Sequence, residues 1–562
     1  MPSHEAPTTP DDPPILGANP FVGLTAGQTA RSIEALVRRA AVEPGVALSG
    51  AVDAARRLVD VAAGRADVAP ARGDRRFTDP VWDRNPVWRR IMQAYLVERN
   101  AVLKLADDVD LDRKSRARAR FALSLLTEAA APTNSLLGNP VALSRAWQTR
   151  GQSLVAGARN LWHDVRHNGG MPSMVDTRPF EVGGNLAVTP GQVVHRTDVF
   201  ELIQYSPSTE TVHERPLVMI PPQINKYYIT DLAPGRSLIE HAVASGVPYF
   251  AVSWRNPTPA QRDWNLDTYV AACEEAIGVA CAVTRSETAN VLGICAGGVT
   301  TACVLGHLAA TDQDLVHSVT FMVAGLDMSE ESTISELAST RAVEAARARS
   351  RRAGVLEGRD LGRVFAWLRP NELVWSYWVS NYLLGENPPP FDVLYWNADT
   401  TRLPAGLHSD FLDIFVDNSL AVPGKLEVLG APVDLSAVTC DAYVVGGSTD
   451  HLIPWTSAYR TTQLLGGKSE FVLASSGHIQ AILSPPGSAK AAYWTAPPRS
   501  RARPTDATTW RGRAIAHEGS WWDHWLAWLA RRSGPRRPAP ETHGNEAHPP
   551  VEPAPGRYVH LK

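Results

Sequence analysis

The pattern of apolar and polar positions changes near Pro179, and this change divides the chain into two parts. Before Pro179, apolar side chains recur at helical spacing and strand-like runs are scarce. Examples are Ile33, Leu36, Val37 and Ala40, and further along Trp88, Ile91, Met92 and Tyr95. This spacing predicts a mostly helical N-terminal domain over residues 25–178. The stretch rich in Pro, Asp and Thr that precedes it predicts a disordered N-terminus over residues 1–24.

After Pro179, short apolar runs alternate with helical stretches and turn signals. The runs are Val199–Tyr205, Leu217–Ile220, Tyr249–Trp254, Val291–Gly293, Ser318–Ala324, Ala442–Gly446 and Phe471–Ala474. Such alternation predicts an α/β catalytic domain over residues 179–532, with a mainly parallel sheet covered on both faces. A helical, aromatic-rich block over about 327–433 interrupts the pattern and predicts a cap over the carboxyl ends of the strands.

The end of the chain combines a tryptophan stripe with a polar, proline-rich stretch. Trp521, Trp525 and Trp528 recur at helical spacing, which predicts a helix that packs through its tryptophans. The Pro-, His- and Glu-rich composition after Ser533 predicts a disordered tail over residues 533–562.

Composition narrows the class of protein. The 562 residues are 44% hydrophobic and 20% charged, which is typical of a soluble chain with more than one domain. The net charge of −3 argues against nucleic-acid binding. The five scattered cysteines form no CxxC pair, which predicts a protein of the reducing cytoplasm that has neither disulfides nor a zinc site. The first residues also lack the basic-then-apolar pattern of a signal peptide.

One uncharged stretch, Ala289–Ala310, is long enough to cross a bilayer. Its glycines instead predict a buried strand, a tight turn and a buried helix, so we expect no transmembrane segment.

That turn carries the central chemical signal, Gly293-Ile294-Cys295-Ala296-Gly297-Gly298. A strand, a glycine-flanked nucleophile and a helix form the nucleophile elbow of the α/β-hydrolase fold, here with cysteine in the place that serine usually holds. Cys295 is predicted to lie at a helix N-terminus, which favours the thiolate. The backbone N–H of Ala296 is predicted to face the developing oxyanion.

An acid and a base follow the nucleophile in the order that this fold requires. Asp450 comes directly after the strand Ala442–Gly446, and His478 comes directly after the strand Phe471–Ala474. Both are therefore expected at the same edge of the sheet as Cys295. The sequence predicts that Asp450 orients His478 and that His478 activates Cys295.

Other titratable residues compete for these roles. His451 adjoins Asp450, so its side chain would point away from that carboxylate, and a structural role is expected for it. Asp441 begins its strand at the wrong end, and Asp327 remains a weaker candidate for the acid. His307 lies within the buried helix and is expected to be a core histidine. The basic run Arg347–Arg352 could meet the phosphates of coenzyme A, but a solvated helix face is the preferred interpretation.

The second oxyanion donor in this fold comes from the loop after an earlier strand. Here that loop is Pro221-Pro222-Gln223-Ile224-Asn225. Neither proline has an N–H, so the donor is Gln223 or Ile224, with Ile224 as our candidate.

A cysteine nucleophile suits transfer from a thioester to an alcohol. Attack on a coenzyme A thioester makes another thioester, so the acyl group stays activated. Passing that group to a hydroxyl makes an oxyester, which is downhill. A serine would already form the oxyester in the first step.

Several long segments carry a resemblance to the polyhydroxyalkanoate synthase family. Gly293–Gly298 resembles the family's cysteine lipase box, Ser448–Trp455 its acid-bearing segment and Ser475–Gly487 its histidine segment. Further segments that resemble the family are Asp74–Trp82, Ala131–Pro140, Pro221–Leu238, Phe391–Phe411 and Glu518–Leu529. The forms PPQIN and DTTRLPAGLHSDF look closest to its class II branch.

The resemblance implies a catalytic triad of Cys295, Asp450 and His478. It implies (R)-3-hydroxyacyl-CoA as the substrate and a growing polyester chain as the product, with coenzyme A released. No cofactor or metal is expected, because the coenzyme A thioester is itself the substrate. The resemblance also implies a homodimer associated with polyester granules in the cytoplasm. The length of the monomer side chain stays open.

Two alternatives belong to other functional classes. A thiol hydrolase, such as an intracellular polyester depolymerase, could share the fold and the triad but would admit water to the acyl-enzyme. A non-catalytic granule-surface protein would not need a complete triad in order.

Overall fold

The computed structural model of this chain describes residues 26–329, 340–497 and 506–562. The N-terminus predicted to be disordered, residues 1–24, lies outside them. The chain forms two compact units. The described part of the first unit is residues 26–178, 340–342 and 360–391, and that of the second is residues 179–329, 343–359, 392–497 and 506–562.

Helices occur in both units. In chain order they are α1 (Ala26–Val42), α2 (Pro44–Ala62), α3 (Val81–Arg84), α4 (Pro86–Asp108), α5 (Arg113–Ala129), α6 (Pro140–Gln148), α7 (Gln152–His167), α8 (Leu238–Ala244), α9 (Leu266–Thr284), α10 (Ala296–Ala310), α11 (Thr340–Ala353), α12 (Gly358–Leu368), α13 (Asp392–Ala398), α14 (Ala405–Asp417), α15 (Trp455–Leu464), α16 (His478–Ile482), α17 (Ala507–Arg513) and α18 (Trp522–Ala530). Two π-helical turns, Asn371–Trp375 and Trp378–Leu383, follow α12.

The first unit is a helical assembly with small apolar cores. Helix α1 packs on α5, and α2 packs on α4. One core contains Leu36, Ala106, Val109 and Ala119, and another contains Phe77, Trp82, Met92 and Leu96. The helix face predicted to contain Met92 is confirmed, since Trp88, Ile91 and Tyr95 pack against that core. The face predicted for α1 is wrong at Val37, which is 60% exposed.

The block predicted as one cap, residues 327–433, is divided between the two units. Its middle, Asp360–Phe391, belongs to the helical unit. Polar anchors explain the assignment, because the Tyr382 hydroxyl donates to Asp164 and the Trp378 indole donates to the carbonyl of Asn134. The prediction that the whole block belongs to the catalytic domain is therefore wrong for Asp360–Phe391, since apolar spacing does not show these long-range bonds. A cap over the carboxyl ends of the strands stays a prediction.

Strands dominate the second unit. In chain order they are β1 (Gly191–Arg196), β2 (Phe200–Tyr205), β3 (Thr211–His213), β4 (Leu217–Ile220), β5 (Tyr249–Trp254), β6 (Ala289–Ile294), β7 (Val316–Met322), β8 (Val355–Leu356), β9 (Leu403–Pro404), β10 (Leu426–Val428), β11 (Ala431–Val433), β12 (Asp441–Gly447), β13 (Ser469–Ala474), β14 (Ala492–Thr495), β15 (Ile515–Glu518), β16 (Arg536–Pro538) and β17 (Glu552–Pro553).

The main sheet has the order β15-β14-β13-β12-β7-β6-β4-β5-β2-β1-β17. Its centre, from β13 to β5, is parallel, and the pairs on either side of that centre are antiparallel. Every residue of β4, β5 and β6 is buried, as expected for parallel strands covered on both faces. The seven predicted strand runs all lie in this sheet. Because β6, β12 and β13 are parallel, the residues that follow them meet at one edge.

The tail predicted to be disordered is folded into the second unit. Strand β16 pairs with β3, and β17 pairs with β1 at the end of the main sheet. Tyr558 and Val559 are buried, and the buried carboxylate of Glu201 accepts the backbone N–H groups of Arg557 and Tyr558 at 2.9 Å each. The prediction failed because these anchors lie far away in the sequence, where local composition carries no signal.

The tryptophan-rich segment near the end of the chain and the uncharged segment with several glycines both fold as predicted. Trp521, Trp525 and Trp528 are buried in the core of the second unit around α18. The uncharged stretch Ala289–Ala310 forms β6, a turn at Cys295 and helix α10. Among the described residues, no helix combines the length and apolar character needed to cross a membrane.

Candidate active site

Cys295 occupies the sharp turn between β6 and α10. Its backbone has φ 51° and ψ −121°, in the left-handed half of conformational space that residues other than glycine rarely adopt. The turn is held in place because the Cys295 N–H donates to the carbonyl of Met322 at 3.0 Å. The side chain is partly exposed. The predicted nucleophile elbow is therefore present, with the thiol held at the start of a helix.

The glycines around Cys295 allow this close packing. A Cβ atom at Gly293 would lie 2.5 Å from the Thr301 hydroxyl oxygen. A Cβ atom at Gly297 would lie 2.4 Å from the carbonyl oxygen of Ile220. Any larger residue at either position would push α10 away from β6 or from the loop after β4.

Backbone hydrogen bonds join the two loops that carry the predicted acid and base. The Ser448 N–H donates to the carbonyl of Ala474 at 2.8 Å, and the Thr449 N–H donates to the carbonyl of Ser476 at 3.2 Å. These bonds extend the parallel pairing of β12 and β13 beyond the strands themselves. Asp450 and His478 are thereby brought side by side.

The Asp450 carboxylate holds the His478 ring. One oxygen lies 2.6 Å from Nδ1 of His478, and the other accepts the N–H groups of Leu452 and Ile453 at 2.9 and 3.0 Å. The exposed fraction is 0% for the Asp450 side chain and 5% for the His478 side chain. The two backbone donors fix the carboxylate so that the ring orientation is set. These two donors were not predicted, because the turn after Asp450 is their only local signal in the sequence.

The charges around His478 change its proton affinity. Burial alone lowers the pKa of the imidazole, but the charges of Asp450 and Cys295, and a side-chain hydrogen bond to each, raise that pKa to about 10. Since Asp450 occupies Nδ1, Nε2 is the nitrogen that faces the sulfur. The structure thus brings together Cys295, His478 and Asp450 in that order.

The competing titratable residues have other partners. Asp327 pairs with Arg460 at 2.7 Å; burial raises the pKa of Asp327, but hydrogen bonds from Ser329, Asn418 and Arg460 lower it below its usual value. Asp441, at the start of β12, pairs with Arg532, and His307 pairs with Glu274 at 2.6 Å. His451 adjoins Asp450 in the chain, but the imidazole that the Asp450 carboxylate contacts is that of His478.

The predicted oxyanion donors lie on two neighbouring elements. Ala296 is the first residue of α10, where a backbone N–H has no partner within the helix. The loop that contains Ile224 is tied to the same helix, because the Gln223 side-chain amide donates to the Thr300 hydroxyl at 2.9 Å. A pair of backbone N–H groups on either side of a nucleophile is the arrangement that stabilises a tetrahedral oxyanion.

The basic run Arg347–Arg352 has partners in its own unit. Arg347 donates to Asp413 and to the hydroxyl of Ser409, and its side chain is 12% exposed. Asp413 therefore already neutralises the most buried of these arginines. Among the described residues, no three His, Cys, Asp or Glu side chains are grouped so that they could hold a metal ion.

Two family models match the chain. A model described as "Poly-beta-hydroxybutyrate polymerase (PhaC) N-terminus" matches residues 73–242. A model described as "alpha/beta hydrolase fold" matches residues 216–485, which contain Cys295, Asp450 and His478. The second match shows the fold that the sheet and the elbow indicate.

Curated relatives match over almost the whole chain. Poly(3-hydroxyalkanoate) polymerase 1 of Ectopseudomonas oleovorans is 46% identical over 545 residues, which cover 97% of each chain. Poly(3-hydroxyalkanoate) polymerase 2 of the same organism is 48% identical over 90% of this chain and 89% of its own. Poly(3-hydroxyalkanoate) polymerase subunit PhaC of Cupriavidus necator is 42% identical over 89% of this chain and 85% of its own.

Proposed function

The chain belongs to the poly(3-hydroxyalkanoate) polymerase family, and from this premise we propose that it polymerises (R)-3-hydroxyacyl groups from coenzyme A thioesters through Cys295. One observation carries the proposal. Cys295 lies at a strained turn after β6, at the sheet edge where the buried Asp450 carboxylate holds the ring of the buried His478 at 2.6 Å, and the charge of Cys295 contributes to the raised pKa of that ring. Such a set activates a nucleophile and moves its proton.

The first step loads the enzyme. The sulfur of Cys295 attacks the thioester carbonyl carbon, and the carbonyl oxygen becomes an oxyanion facing the N–H groups of Ala296 and Ile224. When the oxyanion collapses, the bond between the carbonyl carbon and the coenzyme A sulfur breaks. The imidazolium of His478 gives its proton to the departing thiolate, and Asp450 stabilises the charged ring until then. The products are an acyl-Cys295 thioester and free coenzyme A.

The second step transfers the acyl group to an alcohol. The hydroxyl of another hydroxyacyl unit attacks the acyl-Cys295 carbonyl, and neutral His478 takes the hydroxyl proton. An ester bond forms, the bond to the Cys295 sulfur breaks, and the resting charges return. Since a thioester is exchanged for an oxyester, this step is downhill and needs no further energy source.

A thiol hydrolase of the same fold remains the second candidate. It would use the same three residues but would pass the acyl group to water. The family assignment favours the polymerase, because the matching relatives are polymerases over nearly the whole chain.

The product distinguishes these two functions. We would incubate the purified chain with (R)-3-hydroxybutyryl-CoA, and in parallel with a longer-chain analogue, and follow free thiol together with the acyl product. Thiol release with insoluble polyester is the expected result, and the preferred analogue would give the monomer length. Release of free hydroxy acid alone would favour the hydrolase. An absence of thiol release would contradict both functions.

The site of action and the assembly are further parts of the proposal. The polyester product is insoluble, so a polymerase that keeps its chain attached works at the granule surface in the cytoplasm. Membership of the family further supports a homodimer. Fractionation of granules from expressing cells and sedimentation of the purified chain test these two statements, with a granule-free enzyme or a monomer as the contradicting results.

A further inference from the structure

Several backbone carbonyl groups of the loop after β4 accept hydrogen bonds from residues outside the loop. The bonds are Trp254 Nε1 to Pro221 O at 2.9 Å, Thr401 Oγ1 to Gln223 O at 2.6 Å, Thr401 N to Ile224 O at 3.3 Å and Trp396 Nε1 to Lys226 O at 2.7 Å. A loop held at its carbonyls cannot rotate its peptide planes freely. The directions of its N–H groups are therefore set by residues elsewhere in the unit.

Thr401 makes two of these four bonds, both to the peptide groups around Ile224. It lies between α13 and β9 and is 3% exposed. In a trans peptide, the carbonyl of one residue and the N–H of the next point in opposite directions within one plane. The bond from the Thr401 hydroxyl to the carbonyl of Gln223 thus turns the N–H of Ile224 away from Thr401.

The far end of the loop has an independent anchor. The ammonium of Lys226 donates to the carbonyls of Val559 and Leu561 at 2.5 and 2.8 Å, and its side chain is 2% exposed. Asp399 lies 3.9 Å from the same ammonium. Because these contacts do not involve Thr401, we expect the loop to keep its position when the Thr401 hydroxyl is removed, while the peptide at Ile224 gains freedom.

We propose that Thr401 is a positioning residue that aims the Ile224 N–H at the oxyanion of both tetrahedral intermediates. The inference rests on the proposed function, since it needs an oxyanion at Cys295. Thr401 touches neither the substrate nor the sulfur in this role. Its hydroxyl acts through the Gln223 carbonyl, and its effect appears where negative charge develops rather than where the substrate binds.

Three variants test this role. Thr401→Val removes the hydroxyl and keeps the side-chain shape, Thr401→Ser restores the hydroxyl, and Thr284→Val is the matched control. The Thr284 hydroxyl also donates to a backbone carbonyl, that of Ala280 at 2.7 Å, and Thr284 is buried at the last residue of α9. The control therefore loses the same kind of bond outside the loops of the site.

The kinetic readout is coenzyme A release from (R)-3-hydroxybutyryl-CoA. We expect Thr401→Val to lower kcat about 10- to 100-fold with KM nearly unchanged, somewhat less than the loss of an entire oxyanion donor. Thr401→Ser should stay within about 3-fold of the unsubstituted chain, and Thr284→Val should keep its kcat while its urea unfolding midpoint falls slightly. A Thr401→Val kcat equal to that of the unsubstituted chain would overturn the proposal.

Two unreactive probes separate positioning from general damage. A trifluoromethyl ketone analogue of the acyl group forms a tetrahedral oxyanion adduct, whereas a coenzyme A thioether analogue imitates only the bound substrate. Thr401→Val should weaken the ketone by the same factor as kcat and leave the thioether unchanged. Equal weakening of both probes, without rescue by serine, would assign Thr401 a purely structural role. A failure of the unsubstituted chain to release coenzyme A would instead contradict the proposed function itself.

Discussion

Two histidine–carboxylate pairs in the second unit have the same short separation but different surroundings. His478 and Asp450 are 2.6 Å apart at the carboxyl edge of the sheet, and His307 and Glu274 are also 2.6 Å apart. His307 lies inside α10, and its ring contacts Glu274 of α9. Among the described residues, no hydrogen bond joins this ring to a thiol. His478 shares its ring between a carboxylate and the sulfur of Cys295.

The difference shows that a short imidazole–carboxylate bond does not by itself make a catalytic site. Both pairs have the same short separation, but only one lies beside a nucleophile at a strained turn. The relevant property is the third group, which receives or supplies the proton that the imidazole carries. Substitutions in the two pairs, and in the thiols and carboxylates near them, can test this distinction.

The largest effect is expected from the nucleophile. Cys295→Ala should lower coenzyme A release by more than about 10⁴-fold, because no acyl-enzyme can form. The control is Cys303→Ala in α10, the helix that begins directly after Cys295, where the thiol is fully buried. It should keep kcat and lose about 1 kcal/mol of unfolding free energy through the small cavity that it leaves. Residual turnover of the Cys295 variant near that of the control would remove Cys295 from the mechanism.

The histidines separate the two pairs directly. His478→Gln should lower kcat by about 10²- to 10⁴-fold, because the group that transfers the proton is lost. His307→Gln should leave kcat unchanged and lower the unfolding free energy by about 1 kcal/mol. His451→Gln should be much milder than His478→Gln, since Asp450 faces His478. Steady-state coenzyme A release measures all three, and a reversed order of severity would assign the base to another histidine.

A smaller effect is expected at the carboxylate. Asp450→Asn can donate its amide N–H to Nδ1, which would leave a proton on Nε2 facing the sulfur and remove the proton acceptor. We expect a loss in kcat about 10-fold smaller than that of His478→Gln, because the imidazole stays in the site and a minority of the rings can still present an unprotonated Nε2 to the sulfur.

The matched carboxylate is Asp327, which follows β7 at the same edge and pairs with Arg460. Asp327→Asn should reduce stability by no more than about 1 kcal/mol, because the Arg460 side chain is 45% exposed, and it should not change kcat. If this variant lost as much activity as Asp450→Asn, the acid would be misassigned.

The smallest effect concerns stability and pH. Burial lowers the pKa of His478, but Asp450 and Cys295 raise it from 6.5 to about 10, so the folded chain holds this proton more tightly than the unfolded chain does. The resulting stabilisation is complete below about pH 6.5 and is lost as the pH rises through about 10. Urea unfolding should show that the free energy of unfolding of the unsubstituted chain exceeds that of His478→Gln by less and less as the pH rises through this range. A difference in unfolding free energy that does not change with pH would contradict the raised pKa of His478.

The sequence predicts those residues of the site that come directly after the strands. Cys295, Asp450 and His478 each follow an apolar run, and parallel strands bring such residues to one edge. Strands β14, β15 and β17, which lie at the two ends of the main sheet, were not predicted, because they are short or partly exposed and carry little periodicity. The bond between Thr401 and Gln223 joins residues 178 positions apart, and no local pattern contains it.

Order at the end of the chain has a consequence for biosynthesis. The carbonyls that receive the Lys226 ammonium belong to Val559 and Leu561, which are translated after every strand of the main sheet. A nascent chain with its sheet already complete would still lack these partners. These contacts of the loop after β4 can therefore form only after Leu561 has been translated.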